Sequence, residues 1–209
     1  MPDGAGTRVA GVDGCKAGWV AVIRNLEDPA DLDLIVFPTF ADIVGHTPHL
    51  AIVAVDMPIG LPDRIGPGGR GSEKASCKHL GMRQSSVFSV PARPAVYEVD
   101  YLKACNTALA TSDPPKKVSK QCFFLFPKIR EIDALMTPEL ETRVHEVHPE
   151  LAFWRLNGGA EMSLPKKVKS RANPAGLDQR RDLLVSKGLP GEFLDQSPPR
   201  GCGRDDLLD

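Results

Sequence analysis

Runs of apolar residues separated by short polar breaks divide the first part of the chain into strands. Turns of only a few residues connect the first three runs, so the economical arrangement is an antiparallel meander. The strands predicted in this meander cover residues 8–13, 17–25 and 32–37.

A helix and a fourth strand follow the meander. Thr39 and Asp42 have the three-residue spacing of a helix N-terminal capping box, which predicts a short helix over residues 39–44. Residues 50–56 are apolar up to Asp56 and rich in β-branched side chains, which favours a strand buried on both faces. Because a helix precedes this strand, we expect it to run parallel to the first strand and beside it.

Two aspartates end these neighbouring strands. The first strand ends at Asp13 and the fourth at Asp56, and Pro58 prevents regular structure directly afterwards. Parallel neighbours end at the same edge of a sheet, with about 4.8 Å between adjacent strands. Two carboxylates at that separation share a proton or hold a cation, and this edge is where open α/β sheets bind ligands.

The middle of the chain is richer in glycine, proline and basic residues. Residues 63–93 predict a long functional or mobile loop with a short helix at 72–80. Two longer helices are predicted at 96–110 and 119–136. The second carries an apolar stripe typical of a core and should be kinked or split at Pro127.

The last third predicts one strand, at residues 142–148, and several helices. These helices cover residues 149–156, 174–187, 190–195 and 204–209, with a basic connector at 163–171. All the elements together predict one α/β domain over residues 1–209. Its mixed sheet has three antiparallel strands and then strands parallel to the first, flanked by helices, with a long basic loop and helical insertion at about 63–140.

Composition excludes several classes of protein. The formal net charge of the 209 residues is −1, so the chain lacks the overall positive charge that would indicate nucleic-acid binding. Between residues 64 and 130, however, basic residues outnumber acidic ones. Five cysteines without a CxxC pair argue against a disulfide framework and a zinc ribbon. No apolar segment suits a signal peptide or a membrane span, so we expect a soluble cytoplasmic protein without a membrane partner. The oligomeric state is not predicted.

Acidic residues at the ends of elements are the candidate chemistry. They are Asp13, Asp56, Glu146, Asp205, Asp206 and Asp209. Carboxylates that converge from strand ends and a helix form an oxygen-rich site, which suits Mg²⁺ or Mn²⁺ rather than zinc. Two such ions about 3.5–4 Å apart clamp the attacking and leaving oxygens in phosphodiester hydrolysis.

Each acid also has a structural interpretation that the sequence leaves open. Asp13 fits a turn former, Asp56 a loop cap and Glu146 an exposed strand position. The terminal aspartates fit the dipole of a helix N-terminus. Other chemistry is less well supported, because His145 and His148 point to opposite faces of a strand and no P-loop or dinucleotide-binding glycine pattern occurs.

Blocks along nearly the whole chain resemble the domain-of-unknown-function 429 family (DUF429). In order they are GVDGCKAGW (11–19), DMPIGLP (56–62), RQSSVFSVPAR (83–93), FPKIREID (126–133), EVHPELAFW (146–154) and DDLLD (205–209). That family is regarded as predicted nucleases of the ribonuclease-H-like fold. The resemblance therefore implies a metal-dependent nuclease that hydrolyses phosphodiester bonds in a two-metal carboxylate site.

The resemblance also implies roles for particular residues. Asp13, Asp56, Glu146 and Asp206 would be catalytic, and these four with Asp209 would bind Mg²⁺ or Mn²⁺. Relatives would continue the last helix beyond Asp209, so we expect that ligand to be weakly held. The expected contacts with a nucleic acid or other phosphodiester substrate are Arg83, Ser85, Ser86, Arg93, Lys166 and Lys167.

Two other functions remain open at this point. The first is a catalytically inactive ribonuclease-H-like module that binds nucleic acid or protein. The second is an actin-like or sugar-kinase-like phosphotransferase, which shares the strand order and an early Asp-Gly pair but needs another domain to close on ATP. The 209 residues leave little room for such a domain. Binding of Mn²⁺ separates the nuclease from the inactive module.

Overall fold

A five-stranded mixed sheet organises much of the chain in the computed structural model, which describes residues 6–169 and 171–209. The strands are β1 (Arg8–Cys15), β2 (Gly18–Asn25), β3 (Leu32–Phe37), β4 (Leu50–Val55) and β5 (Val144–Glu146). Their order in the sheet is β3-β2-β1-β4-β5. The first three strands are antiparallel, and β4 and β5 continue the sheet in the direction of β1. The predicted mixed sheet is confirmed.

Helices and a small ribbon account for the other regular elements. The α-helices are α1 (Phe40–Val44), α2 (Gly71–Cys77), α3 (Arg93–Val96), α4 (Tyr101–Ala110), α5 (Lys120–Leu135), α6 (Pro138–Glu141), α7 (Pro149–Leu156), α8 (Pro174–Ser186), α9 (Gly191–Asp195) and α10 (Arg204–Leu208). A 3₁₀ helix covers Gly81–Ser86. The ribbon pairs β6 (Lys167–Val168) with β7 (Arg171–Ala172) inside the predicted connector. No helix in the described ranges has the length and apolar character needed to span a membrane.

The chain divides into two structural units. The first consists of Met1–Asp56 and Thr137–Asp209 and contains the five-stranded sheet. The second consists of Met57–Met136 and contains α2 to α5. Most of the predicted insertion at about 63–140 therefore lies in the second unit.

One face of the sheet in the first unit packs against α1. Trp19 of β2 and Phe40 of α1 are fully buried, and their rings meet edge to face with centroids 5.0 Å apart. The predicted capping box begins α1, since the Thr39 hydroxyl accepts from the Asp42 amide and the Asp42 carboxylate accepts from the Thr39 amide. Burial of aromatic and aliphatic side chains on this face provides most of its stabilisation.

The C-terminal helices cover part of the opposite face. Helix α10 packs on β1, β2 and α8, with Leu207 and Leu208 buried. The prediction that β4 is buried on both faces was wrong at Ile52, which is 38% exposed, whereas Val53 and Val55 on the other face are fully buried. Since α10 packs on β1 and β2, the adjacent part of β4 is left more accessible to water.

Helix α5 organises the second unit. Its buried residues Phe126, Ile129 and Ile132 recur at helical spacing, as the apolar stripe predicted. Of the kink or split predicted at Pro127, the split was wrong, because α5 is one helix from Lys120 to Leu135 with this exposed proline inside it. The helix predicted at 96–110 is instead divided into α3 and α4, since the Asp100 carboxylate accepts from the Lys103 amide and begins a new helix.

Part of the glycine-rich segment in the second unit is held by a buried ion pair. Glu73 accepts a hydrogen bond from Arg70 Nε at 2.9 Å and from the Val90 amide at 3.0 Å. Arg70 also donates to the Ile59 carbonyl at 2.9 Å. Both charged residues are only 6% exposed, so these contacts offset the cost of removing them from water.

Candidate metal centre

Asp13 and Asp56 lie beside each other because their strands are parallel neighbours. Val12 and Val55 are partners in the register of β1 and β4. The Asp56 amide continues this ladder by donating to the Val12 carbonyl at 2.9 Å. The prediction that the two aspartates lie at the same edge of the sheet is confirmed, although β1 does not end at Asp13 as predicted but continues to Cys15 through its pairing with β2.

Helix α10 brings a third carboxylate to this edge. The burial of Leu207 and Leu208 anchors the helix, and the Asp209 amide donates to the Asp205 carbonyl at 2.9 Å. One carboxylate oxygen from each of Asp13, Asp56 and Asp209 lies within 4.8 Å of the other two. We call these three residues the acidic triad.

Burial and mutual repulsion make the acidic triad difficult to ionise. Burial, followed by the charges of Asp56 and Asp209, raises the pKa of Asp13 to about 8. Burial and the charge of Asp209 raise the pKa of Asp56 to about 7, while nearby Lys166 opposes the shift. Burial also raises the pKa of Asp209, against the influence of Lys166. A bound cation would remove the repulsion that causes part of these shifts.

Lys166 supplies positive charge to the acidic triad. Its ammonium group forms an ion pair with Oδ2 of Asp209. The Asp209 side chain is only 4% exposed, and its other oxygen, Oδ1, is buried without a hydrogen-bond partner among the described residues. A buried carboxylate oxygen in this state is costly unless a further donor or cation reaches it.

The backbone around Lys166 is held by contacts with α8 and with Asn173, the residue directly before α8. Asn173 donates its side-chain amide to the Pro165 carbonyl at 2.8 Å and its backbone amide to the Lys166 carbonyl at 2.9 Å. Gly176 permits close approach of the two segments, because a Cβ at this position would lie 2.0 Å from the Pro165 oxygen. These contacts fix the position from which Lys166 reaches the acidic triad.

A buried ion pair supports the same segment. Arg180 is fully buried and donates through Nη2 to both carboxylate oxygens of Glu150, at 2.6 and 2.8 Å. It also donates to the Leu164 carbonyl at 2.9 Å. This pair was not predicted from the sequence. The signal was available in α8, where Arg180 follows Leu177 by three residues and precedes Leu184 by four, on the side of the helix that carries its apolar residues.

The remaining predicted acids lie near the acidic triad but have other contacts. Glu146 is opposite Val55 in the register of β5 and β4, and its charge contributes to the raised pKa of Asp56. Asp206 accepts from the Gly203 amide at 2.8 Å at the start of α10. Asp205 forms an ion pair with Lys167 at 2.6 Å. Of the three terminal aspartates, the described structure therefore brings Asp209 into the triad.

The predicted substrate contacts in the second unit have partners of their own. Arg93 pairs with Asp133 at 2.6 Å, and the Ser86 hydroxyl donates to the Arg83 carbonyl at 2.6 Å. Ser85 is exposed in the 3₁₀ helix that also contains Arg83. Two of the predicted substrate contacts lie in the first unit. Lys166 pairs with Asp209 of the acidic triad, and Lys167 pairs with Asp205.

A surface depression in the first unit includes acidic residues of α10 in its wall. It is lined by Gly14, Cys15, Lys16, Lys167, Gly201, Cys202, Gly203, Asp205 and Asp206. The backbone amide of Lys16 donates to the Gly201 carbonyl at 3.2 Å and holds its two sides together. Burial and a hydrogen bond with Cys15 raise the pKa of the Cys202 thiol to about 12, so this thiol is protonated near neutral pH and is a poor nucleophile.

The donor set of the acidic triad fits a hard divalent cation. Its three carboxylates offer only oxygen ligands, which Mg²⁺ and Mn²⁺ prefer. The buried Oδ1 of Asp209, which has no hydrogen-bond partner in the described chain, is an additional acceptor for such an ion.

Comparison with known proteins gives one match. The model of a family described as "Protein of unknown function (DUF429)" matches residues 11–209 of the chain. No curated protein matches the sequence, and no solved structure matches the fold. The matched region includes every member of the acidic triad and Lys166.

Proposed function

The chain belongs to the DUF429 family, whose description assigns no activity, and we propose from the site that the protein is a metal-dependent phosphodiester hydrolase. A nuclease is the form of this activity that we favour. The observation that carries the proposal is the convergence of Asp13, Asp56 and Asp209 within 4.8 Å at one edge of the sheet. Carboxylates with raised pKa values in a partly enclosed site are typical of functional centres.

The acidic triad would hold Mg²⁺ or Mn²⁺, with Glu146 close enough to Asp56 to influence the same site. When bound, such an ion lowers the pKa of coordinated water and offsets charge on a phosphate group. Asp13 and Asp56 would be fixed ligands, because Asp13 lies within β1 and Asp56 directly follows β4, and the two strands are held in a regular ladder. Asp209 would be placed by the burial of α10.

The positive side chains beside the triad would favour an anionic substrate. Lys166 lies next to Asp209, and Lys16 and Lys167 line the neighbouring depression. Phosphate groups are attracted by such lysines through charge, without sequence specificity. These lysines support a nucleic acid or another phosphodiester as the partner. The five free cysteines separately support action in the reducing cytoplasm.

Cleavage of a fluorescent oligonucleotide panel tests this function. The panel should include single-stranded DNA, duplex DNA, RNA and a branched junction, each assayed at pH 8 with Mn²⁺, with Mg²⁺ and with a chelator. We expect cleavage that depends on metal and falls at least a hundredfold in Asp13→Asn and in Asp56→Asn. The expected factor is of the size seen when one strong charge contact with a transition state is lost.

Asp63→Asn is the matched control for these substitutions. Asp63 is exposed and lies in the second unit, so the same change of charge should leave cleavage unaltered. Survival of metal-dependent cleavage in both triad variants would contradict the assignment of the site. A copurifying nuclease is excluded as the source of cleavage if every independent purification gives the same difference in activity between the natural chain and each triad variant.

An inactive binding module is the second candidate function. The ion pair between Lys166 and Asp209 favours it, because a lysine from the chain itself already supplies a cation to the carboxylates. Such a module would bind an oligonucleotide or a protein without turnover. It would also show no saturable binding of Mn²⁺, and this measurement separates the two candidates.

A further inference from the structure

A cavity adjoins the acidic triad on the α10 side of the sheet. Three cross-strand pairs of β1 and β2 form its floor: Val9 with Arg24, Gly11 with Val22, and Asp13 with Val20. The C-terminal helices cover it with apolar side chains that include Leu189 and Phe193. Its volume is about 230 Å³.

The cavity exists because the middle of its floor has no side chain. A Cβ at Gly11 would have no atom within 4 Å from elsewhere in the described chain. Gly11 is not among the residues with positive φ, so the backbone does not require glycine at this position. A glycine inside a strand commonly marks a position that a ligand or another backbone approaches closely.

The walls and size of the cavity suit a flat, largely apolar ring. An apolar cavity of about 150 Å³ holds benzene, so 230 Å³ accommodates a larger ring system. Phe193 provides an aromatic surface for stacking, and Arg24 provides a guanidinium group that both stacks on rings and donates hydrogen bonds. Water alone would be poorly held, because most of the lining is aliphatic.

The acidic triad and the cavity are continuous. Asp13 and Asp209 belong to the triad and also line the cavity. When a ring lies over Gly11, a phosphodiester that is linked to the ring through a sugar would therefore lie beside the carboxylates. Each unit of a nucleic acid carries a flat heteroaromatic ring and a phosphodiester that are joined through one sugar, which fits this arrangement.

We propose that the cavity over Gly11 is a subsite for the nucleobase of the substrate. The proposal rests on the proposed phosphodiester hydrolase and narrows its substrate to nucleotide-containing phosphodiesters. The subsite selects the ring, whereas the acidic triad acts on the phosphate.

Filling the cavity tests the proposal without altering a charged group. Gly11→Val places side-chain atoms where the ring would lie, and Gly11→Ala leaves most of the volume open. The probe is 2-aminopurine riboside, an uncharged fluorescent nucleoside, titrated onto metal-free protein. We expect saturable quenching with the natural chain, at least tenfold weaker binding by Gly11→Val and a smaller loss by Gly11→Ala.

Val22→Phe is the second variant, because it fills the same space from β2 if Gly11→Val does not fold. Calorimetric titration of Mn²⁺ should give the same affinity for these variants as for the natural chain, since the carboxylates are unchanged. Equal binding of the nucleoside by filled and open cavities overturns the subsite. A raised melting temperature without any change in nucleoside binding also overturns it, because the cavity is then a packing defect.

The two proposals fail in different ways. The nucleoside probe carries no phosphate and needs no metal, so its binding reports on the subsite alone. Loss of Mn²⁺ binding with intact nucleoside binding contradicts the hydrolase and leaves a nucleobase site. Mn²⁺-dependent cleavage of oligonucleotides with no nucleoside binding to the natural chain contradicts the subsite and leaves the hydrolase.

Discussion

The ammonium group of Lys166 forms an ion pair with Asp209, the carboxylate that α10 contributes to the acidic triad. Burial alone would lower the pKa of Lys166, but the charges of Asp209 and Asp56 raise it above its usual value. The lysine therefore stays charged, and its charge would compete with that of a metal ion for the Asp209 carboxylate. In the proposed metal site, the affinity for metal would therefore depend on a residue that does not itself bind metal.

Removing the charge of Lys166 should strengthen metal binding. In Lys166→Met we expect Mn²⁺ to bind about tenfold more tightly, equivalent to about 1.4 kcal/mol, because a competing cation is lost. Lys167→Met is the control, since Lys167 pairs with Asp205 outside the triad and is 52% exposed. Isothermal titration with Mn²⁺ gives both affinities, and unchanged or weaker binding by Lys166→Met would show that Lys166 does not compete.

The metal-free protein should lose stability as the pH rises. The pKa values of Asp13 and Asp56 are about 8 and about 7 in the folded chain, against a usual value of 3.8. Between these limits the folded state holds protons that the unfolded state has released, so the free energy of unfolding decreases with pH. The stabilisation that comes from holding these two protons is complete below about pH 4 and declines as the pH rises. The part due to Asp56 is fully lost once the pH passes about 7, and the part due to Asp13 once it passes about 8.

Urea unfolding with a chelator between pH 5 and 9 measures this slope. Asp13→Asn should flatten it, because the amide does not ionise, while Asp63→Asn should leave it unchanged. Added Mn²⁺ should oppose the loss at high pH, since metal binding requires the ionised carboxylates. A metal-free stability that rises from pH 6 to pH 8 would contradict the predicted direction of both shifts.

The buried pair of Arg180 and Glu150 should be critical for folding. Arg180→Met leaves the Glu150 carboxylate buried without its partner, which should lower the free energy of unfolding by roughly 3–5 kcal/mol. Arg181→Met is the matched neighbour, because Arg181 pairs with Asp195 at the surface, where water screens the charges, and its loss should have much less effect. Denaturant titration of both variants checks the difference.

A compensating substitution tests the reason for that loss. Glu150→Gln combined with Arg180→Met removes the uncompensated charge, so the double variant should be more stable than Arg180→Met alone. If the double variant is less stable, the contribution of Arg180 lies in its hydrogen bonds to backbone carbonyls rather than in charge pairing.

The sheet could be predicted from the sequence because its determinants are local. Apolar runs, short turns and the capping box at Thr39 specified the meander, the helix and the parallel fourth strand. The meeting of Asp13 with Asp56 then followed from strand direction alone. Ile52 was placed wrongly because the sequence of a strand does not reveal how far a helix covers its neighbour.

The rest of the site depends on contacts between distant segments. Two aspartates lie in the five-residue helix α10 and Asp209 is its C-cap, and their spacing could not choose Asp209 over Asp206. The position of Lys166 depends on a ribbon with two-residue strands and on contacts from Asn173 and Arg180, and none of these gives a periodic pattern. Pro127 was expected to kink or split α5, but Phe126 and Ile129 are buried on a helix that is not split.

Calorimetric titration of Mn²⁺ onto the metal-free chain at pH 8 tests the central claim most directly, with Asp56→Asn and Asp63→Asn measured alongside. We predict saturable binding to the natural chain, the same affinity for Asp63→Asn and at least a tenfold loss for Asp56→Asn. Absence of saturable binding, or equal affinity for the natural chain and Asp56→Asn, would contradict a metal site formed by Asp13, Asp56 and Asp209.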